Sequence, residues 1–182
     1  KEMSYQQSSN VAKSLAEMVE LSMIEETKMV KGLTVDPALK DAAAGRTEAA
    51  ISKLTSMIKT IGNDYEVLFV ADTTGLIRAD GVGGSYQGIN IGDRDYFINA
   101  KAGKANVGTP IKSKKTGNPV AVVAAPIFDN SGTFTGIVAA ALKIDFLIER
   151  ITALKVGKTG YAFMADKNGT VIAHPNKEFI LE

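Results

Sequence analysis

The chain has 182 residues, 45% of them hydrophobic and 23% charged, with 17 glycines and 5 prolines, a globular composition too apolar for disorder and too charged for a membrane span. Lys and Arg total 21 against 20 Asp and Glu, a net charge of +1, which removes the electrostatic ground for a nucleic-acid partner. No cysteine and a single histidine exclude disulfides, thiolate metal sites and His/Cys metal clusters.

The N-terminal stretch reads as helix. Val11, Leu15, Met18, Val19, Met23 and Val30 recur at three- and four-residue steps, with polar residues between them and no Pro or Gly before Gly32. A helix over about residues 4 to 31 is ~40 Å long, more than a compact domain needs. Asp36-Pro37 predicts a second helix, with Asp as cap and Pro at the first helical position. Gly45 breaks the chain, and Thr47, Ile51, Leu54, Met57, Ile58 and Ile61 mark a third helix that stops at Gly62.

After Gly62 the period becomes extended. Tyr65 to Val70 is rich in β-branched and aromatic residues, Asp72-Thr73-Thr74-Gly75 is a turn, and Leu76-Ile77-Arg78 returns. Gly81 to Gly92 is loop-like, and Arg94 to Ala102 has helical spacing. Strands follow at 107–113, 120–128 and 134–144, then a helix at 145–155. The pattern predicts an α+β fold with a five-stranded antiparallel sheet and helices to one side. The apolar run from Val120 to Ile127 contains Pro126 and has the length of a strand, not of a membrane span. The chain starts at Lys1 and stops at the apolar Phe179-Ile180-Leu181, which we read as a piece of a longer protein.

One repeat stands out. Phe69–Ala79 recurs 94 residues on, with Phe, Ala, Asp, Gly and Ala identical, as Phe163–Ala173. Asp-x-x-Gly hairpins resemble one another, but a constant offset with the apolar alternation kept reads as a tandem pair of similar modules.

Catalytic motifs are absent. His174 precedes Pro175, where the backbone is extended. The glycines at 81, 83 and 84 do not open a helix after a strand, and Gly157-Lys158-Thr159 lacks the earlier glycine of a phosphate loop. No enzyme and no cofactor is expected. The binding chemistry centres on Arg94, Tyr96 and Phe97. A guanidinium at a helix start offers a planar fork for a carboxylate, and the two rings can wall a site. The residues alone equally allow Arg94 to pair with Asp93 or Asp95 while the rings fill the core. Lys114 and Thr116, in the next strand turn, are further candidates.

The long helix, the Asp-x-x-Gly hairpin, Gly92-Asp93-Arg94-Asp95-Tyr96-Phe97 and the turn Ser113–Val120 occur in an order that resembles the Cache domain of bacterial chemoreceptors. So do Gly157-Lys158-Thr159-Gly160-Tyr161 and Ala173-His174-Pro175. The nearest form is the double-Cache sensor of methyl-accepting chemotaxis proteins. The resemblance implies a helical spine and short helices over 1–62 and a PAS-like, membrane-distal module over 63–144. It implies a connecting helix and linker over 145–159 and the first hairpin of a second, membrane-proximal module over 160–182. It also implies a periplasmic position between membrane spans, with cytoplasmic signalling partners reached only through other parts of the receptor. A sensor histidine kinase, a diguanylate cyclase or a phosphodiesterase could carry the same input domain.

In amino-acid sensors of this kind a Tyr precedes the Arg by five residues, Trp-Tyr follows it, and an Asp on the last strand takes the ammonium. Those positions here hold Ile89, Arg94, Tyr96-Phe97 and Ala141. The resemblance therefore implies that the carboxylate anchor is kept and the ammonium anchor lost, and a small organic anion is the expected ligand, with an amino-acid or amine sensor of the same fold as the alternative. The stripe Val11, Leu15 and Met18 is expected to support a weak homodimer through the N-terminal helix.

Overall fold

The computed structural model describes residues 20–152 and the short strands Met164–Ala165 and Val171–Ala173. Val11, Leu15 and Met18, and with them the expected dimer face, lie outside the described residues. So do Gly157–Tyr161, His174 and Pro175.

Residues 20–22 are helical, Met23 is a turn, and α1 spans Ile24–Leu33. The helix runs through Gly32 and ends at Thr34, whose N–H donates to the Lys31 carbonyl. The second helix, α2 (Pro37–Ala43), begins as its sequence requires. The Asp36 carboxylate accepts the N–H groups of Ala38 and Leu39 at 2.9 and 3.3 Å, two of the donors that a helix start leaves unpaired. Its other oxygen pairs with Lys53 of α3 (Glu48–Ile61). That helix closes on Gly62 at φ 96°, a left-handed position that suits glycine.

The sheet contains β1 (Tyr65–Asp72), β2 (Ile77–Asp80), β3 (Asn106–Val107), β4 (Ile111–Lys112), β5 (Pro119–Phe128) and β6 (Phe134–Lys143). Every pairing is antiparallel, in the order β2-β1-β6-β5-β3, with β4 also on β5. The strand expected over 107–113 is thus two short pieces on one edge of β5, Val107 opposite Val123 and Ile111 opposite Val120. Pro110 lies between them, and a residue with no N–H cannot continue the ladder.

Both faces of this sheet are apolar, and each has its own cover. Leu68, Val70, Val123, Val138 and Leu142 pack with Val30, Leu39 and Leu54 of the three helices. Val67, Phe69, Val122, Ile137 and Ala139 pack instead with Tyr86, Ile91, Tyr96, Phe97 and Ala100. These last come from the 81–92 loop and from α4 (Asp95–Lys101). The expectation of helices to one side is corrected here. Runs such as Val120–Ala125 are apolar at every position, so neither face can be left to water. After β6 the chain turns directly into α5 (Ile144–Thr152).

The β1–β2 hairpin is organised by Asp72. One of its oxygens accepts the Thr74 N–H, the Thr74 hydroxyl and the Leu76 N–H at 2.9, 2.6 and 3.2 Å, and the other accepts Arg78 Nε at 2.8 Å. Burial alone would raise this carboxyl, but these donors outweigh it and hold it below its ordinary range. The strands β7 (Met164–Ala165) and β8 (Val171–Ala173) form a separate two-stranded sheet. Met164 faces Ala173 and Ala165 faces Val171, with a register shift after Met164. In β1–β2, Val70 faces Ala79 and Ala71 faces Ile77, with the shift after Val70. The sequence repeat is therefore also a repeat of pairing, down to the irregularity.

Because the folded-state carboxyl of Asp72 titrates below 3.8, its stabilising contribution is complete above that pH and is lost as pH falls through the lower, folded value. Asp72→Asn is expected to lose about 1–2 kcal/mol at pH 7. The gap from the parent should shrink below pH 3.8, as read by urea unfolding at several pH values. A gap independent of pH would show that the charge of Asp72 contributes nothing.

Candidate functional site

The cover of the second sheet face is held in place by backbone constraints. Asp80, with no exposed surface, accepts the N–H groups of Val82 and Gly84 on one oxygen (2.9 and 2.8 Å) and of Tyr86 on the other (2.9 Å). One buried carboxylate thus folds the 81–86 loop and points Tyr86 at the sheet. The loop then runs back along the β1–β2 hairpin: Ile77 and Ile89 share a bond at 2.9 Å, and Ile91 donates to the Gly75 carbonyl at 2.8 Å. A Cβ on Gly75 would lie 2.5 Å from the Gly92 backbone, so the two glycines permit this contact. The start of α4 is thereby fixed just after Gly92, with Arg94 as the residue that precedes the helix.

Between this cover and the sheet lies a narrow cleft with a cavity volume of about 30 Å³. Val67, Phe69, Val120, Val122 and Ala141 form its floor. Tyr86, Ile89, Ile91 and Tyr96 form its walls, and Glu66, Arg94 and Lys112–Lys115 its rim. Arg94 is the residue before α4, in extended backbone at φ −79° and ψ 142°. Its Nη2 donates to the Lys112 carbonyl at 3.2 Å. Neither neighbouring acid pairs with it. Asp93 binds Lys114 at 2.5 Å, and Asp95 accepts the Thr109 N–H at 2.8 Å. Among the described residues, no carboxylate stands at ion-pair distance from Arg94. The Lys114 ammonium, which also donates to the Asn90 carbonyl at 2.9 Å, holds the Asp93 carboxyl below its ordinary range.

Tyr96, 3% exposed, lines the cleft, and burial pushes its phenol up, with the Arg94 guanidinium pulling the other way. Phe97 does not reach the cleft. It lies in the core, edge-on to Phe134 with ring centroids 6.3 Å apart. Successive helical residues point about 100° apart, so Tyr96 and Phe97 cannot share one wall. Thr116 also stands off the lining, and its hydroxyl donates to Glu66 at 2.5 Å. Glu66 and Tyr86 are cleft residues that sequence reasoning missed. Burial first, then the Glu66 carboxylate, push the Tyr86 phenol above its ordinary value, while Ser113 opposes them. Asp80 followed by a glycine-rich segment was the available signal for the loop, since Asp bonds the backbone two residues on.

The chain matches the Cache domain family over residues 1–182. It belongs to the Cache domain family. Methyl-accepting chemotaxis protein McpA of Bacillus subtilis is 28% identical to this Cache domain over 141 residues, 76% of the chain and 21% of McpA. The chain thus spans about a fifth of the length of that relative. Among solved structures, the sensor domain of the Vibrio cholerae histidine kinase DctB superposes with a TM-score of 0.73 at 14% identity, covering 98% of this chain and 70% of that one. The ligand-binding domain of the Pseudomonas fluorescens chemoreceptor CtaA, in complex with L-serine, has a TM-score of 0.67 at 18% identity, with 96% and 73% covered. At these identities the likeness is one of fold. No helix among the described residues is long and apolar enough to cross a membrane.

Removing the Asp80 carboxylate leaves three loop N–H groups without their acceptor. Asp80→Ala is expected to cost about 3 kcal/mol or more in urea unfolding. Faster hydrogen exchange should appear at residues 82, 84 and 86. An unchanged unfolding midpoint would mean that the loop holds its shape without Asp80.

Proposed function

We propose that this Cache domain is the extracytoplasmic, ligand-sensing part of a transmembrane chemoreceptor and that its cleft takes a small molecule bearing a carboxylate. The activity proposed is binding and signalling, not catalysis. One observation carries the ligand reading: Arg94 presents a guanidinium on the rim of an apolar-floored cleft with a backbone carbonyl as partner and no protein carboxylate. A planar fork with donors to spare matches a carboxylate through two parallel bonds, and low-polarity surroundings strengthen such bonds. Tyr96 and Lys114 contribute a wall and a rim, Phe97 supports Tyr96 from the core, and Thr116 acts through Glu66.

Signalling, in this reading, is a population shift: the ligand favours the arrangement that closes around it. The sheet passes the change on, because β5 and β6 pair along their whole length and β6 turns directly into α5. The matching registers of β1–β2 and β7–β8 support a second module beginning near residue 160. A weak homodimer through the N-terminal helix belongs to the same proposal. A second reading keeps the domain and changes the output, as input to a sensor histidine kinase, and is favoured by the superposition on the DctB sensor.

The test is a thermal-shift screen of carboxylic and amino acids, since a ligand at 100 times its Kd adds about 2.7 kcal/mol, followed by calorimetric titration of the hit. Arg94→Ala is expected to abolish binding with the fold intact. Arg94→Lys should weaken it about tenfold or more, because a point charge replaces a fork. Undiminished binding by Arg94→Ala would overturn the assignment.

A further inference from the structure

Strand β1 carries an irregularity that ordinary alternation would not produce. Tyr65 pairs with Leu142 and Val67 with Ala141, so Glu66 is the extra residue of a bulge. Regular alternation would turn Tyr65, Val67 and Phe69 to one face and Glu66 to the other. Instead Tyr65 packs with the helix-side core, while Glu66 joins Val67 and Phe69 in lining the cleft. Bulges re-aim side chains in this way and concentrate at functional sites.

Glu66 is the only carboxylate among the cleft-lining residues described. Its Oε1 accepts the Thr116 hydroxyl, and the Tyr86 phenol lies beside it. Both neighbours are neutral, so the charge of Glu66 is solvated by dipoles and has no ion-pair partner among the described residues. Beside it, Ala141 contributes only a methyl group to the floor.

We infer that Glu66 is a specificity-determining residue, the negative pole of the cleft that Arg94 also lines, and that it selects ligands carrying a protonated nitrogen as well as a carboxylate. This rests on the reading of Arg94 given above. A ligand with a carboxylate alone satisfies Arg94 but offers Glu66 no cationic partner and sets a second negative charge in the same cleft. A ligand with both groups satisfies both poles. The absence of an acid at position 141 therefore does not leave the cleft without an acceptor for nitrogen. The acceptor comes from the neighbouring strand.

The test uses the chain itself, titrated calorimetrically with matched probes: L-alanine against propionate, L-asparagine against succinamate, and 4-aminobutyrate against butyrate. In at least one pair the amino member is expected to bind about tenfold or more tighter than its counterpart, the worth of a hydrogen bond to a charged group. Glu66→Gln should bring that ratio to within about threefold, and Glu66→Asp should keep the preference at lower affinity. Circular dichroism and the Tm establish that each variant is folded; if Glu66→Gln does not fold, Glu66→Asp losing the preference would count against the role. A parent that binds propionate or butyrate as tightly as the amino member, or a folded Glu66→Gln that keeps the parent ratio, would overturn it. Failure to bind any of the six probes would overturn it as well. Loss of binding in Arg94→Ala alongside either of the first two results would leave the carboxylate anchor standing, whereas undiminished binding in Arg94→Ala would remove the anchor itself.

Discussion

A sheet that is apolar on both faces has to be covered twice, and the architecture follows from how each cover is attached. The alanines of β6 alternate between the two cores, Ala140 among the helices and Ala139 and Ala141 beneath the 81–92 loop. Their small side chains let both layers approach closely. The helical layer seals its face with large residues such as Leu39 and Leu54. The other layer is a loop and a seven-residue helix, too little regular structure to hold itself together. It depends on Asp80 to satisfy its backbone and on the Gly75–Gly92 contact to bring it down onto the hairpin. A cover anchored at a few points seals imperfectly, and the cleft is what remains between its anchors.

Features with a local cause were legible in the sequence. The Asp36-Pro37 helix start, the stop at Gly62 and the Asp72 turn all appear where capping and turn chemistry put them, because each depends on bonds within a few residues. The strand broken at Pro110 was misjudged only in continuity. The covering of the second face was not legible, since the 81–92 loop has neither period, and its burial depends on contacts with residues far off in the chain.

The site divides along the same line. Arg94 could be singled out as a charge at a helix start, but whether it paired with Asp93 or Asp95 depended on groups elsewhere. Lys114 takes one acid and the Thr109 N–H the other. Phe97 looked like a second wall because it adjoins Tyr96, yet adjacency on a helix separates side chains. Glu66 was invisible for a different reason. Its direction is set by a bulge, and nothing in Tyr65-Glu66-Val67 distinguishes a bulged strand from a regular one. The register with β6 decides it.

The rim turn joins these elements into something that can respond. Arg94 bonds the Lys112 carbonyl at one end of the turn, and Glu66 bonds the Thr116 hydroxyl at the other. In the proposed reading, a ligand reaching Arg94 and Glu66 competes with the protein's own bonds to the same groups. Part of its binding energy then goes into re-partnering the two ends of the turn, and this differential interaction is what allows a ligand to shift a conformational equilibrium. Lys112 belongs to β4, which rests on β5 through only two pairs, Ile111 with Val120 and Lys112 with Pro119. A strand held so lightly can move without breaking the sheet. One of the two β5 residues opposite it pairs in turn with the end of β6, Val120 with Lys143, one residue before α5 begins. The route from ligand to helix thus crosses two strand pairings at the same end of the sheet. In the proposed reading, the rim turn that partners Arg94 and Glu66 and the strand edge that carries the ligand's effect are one piece of chain.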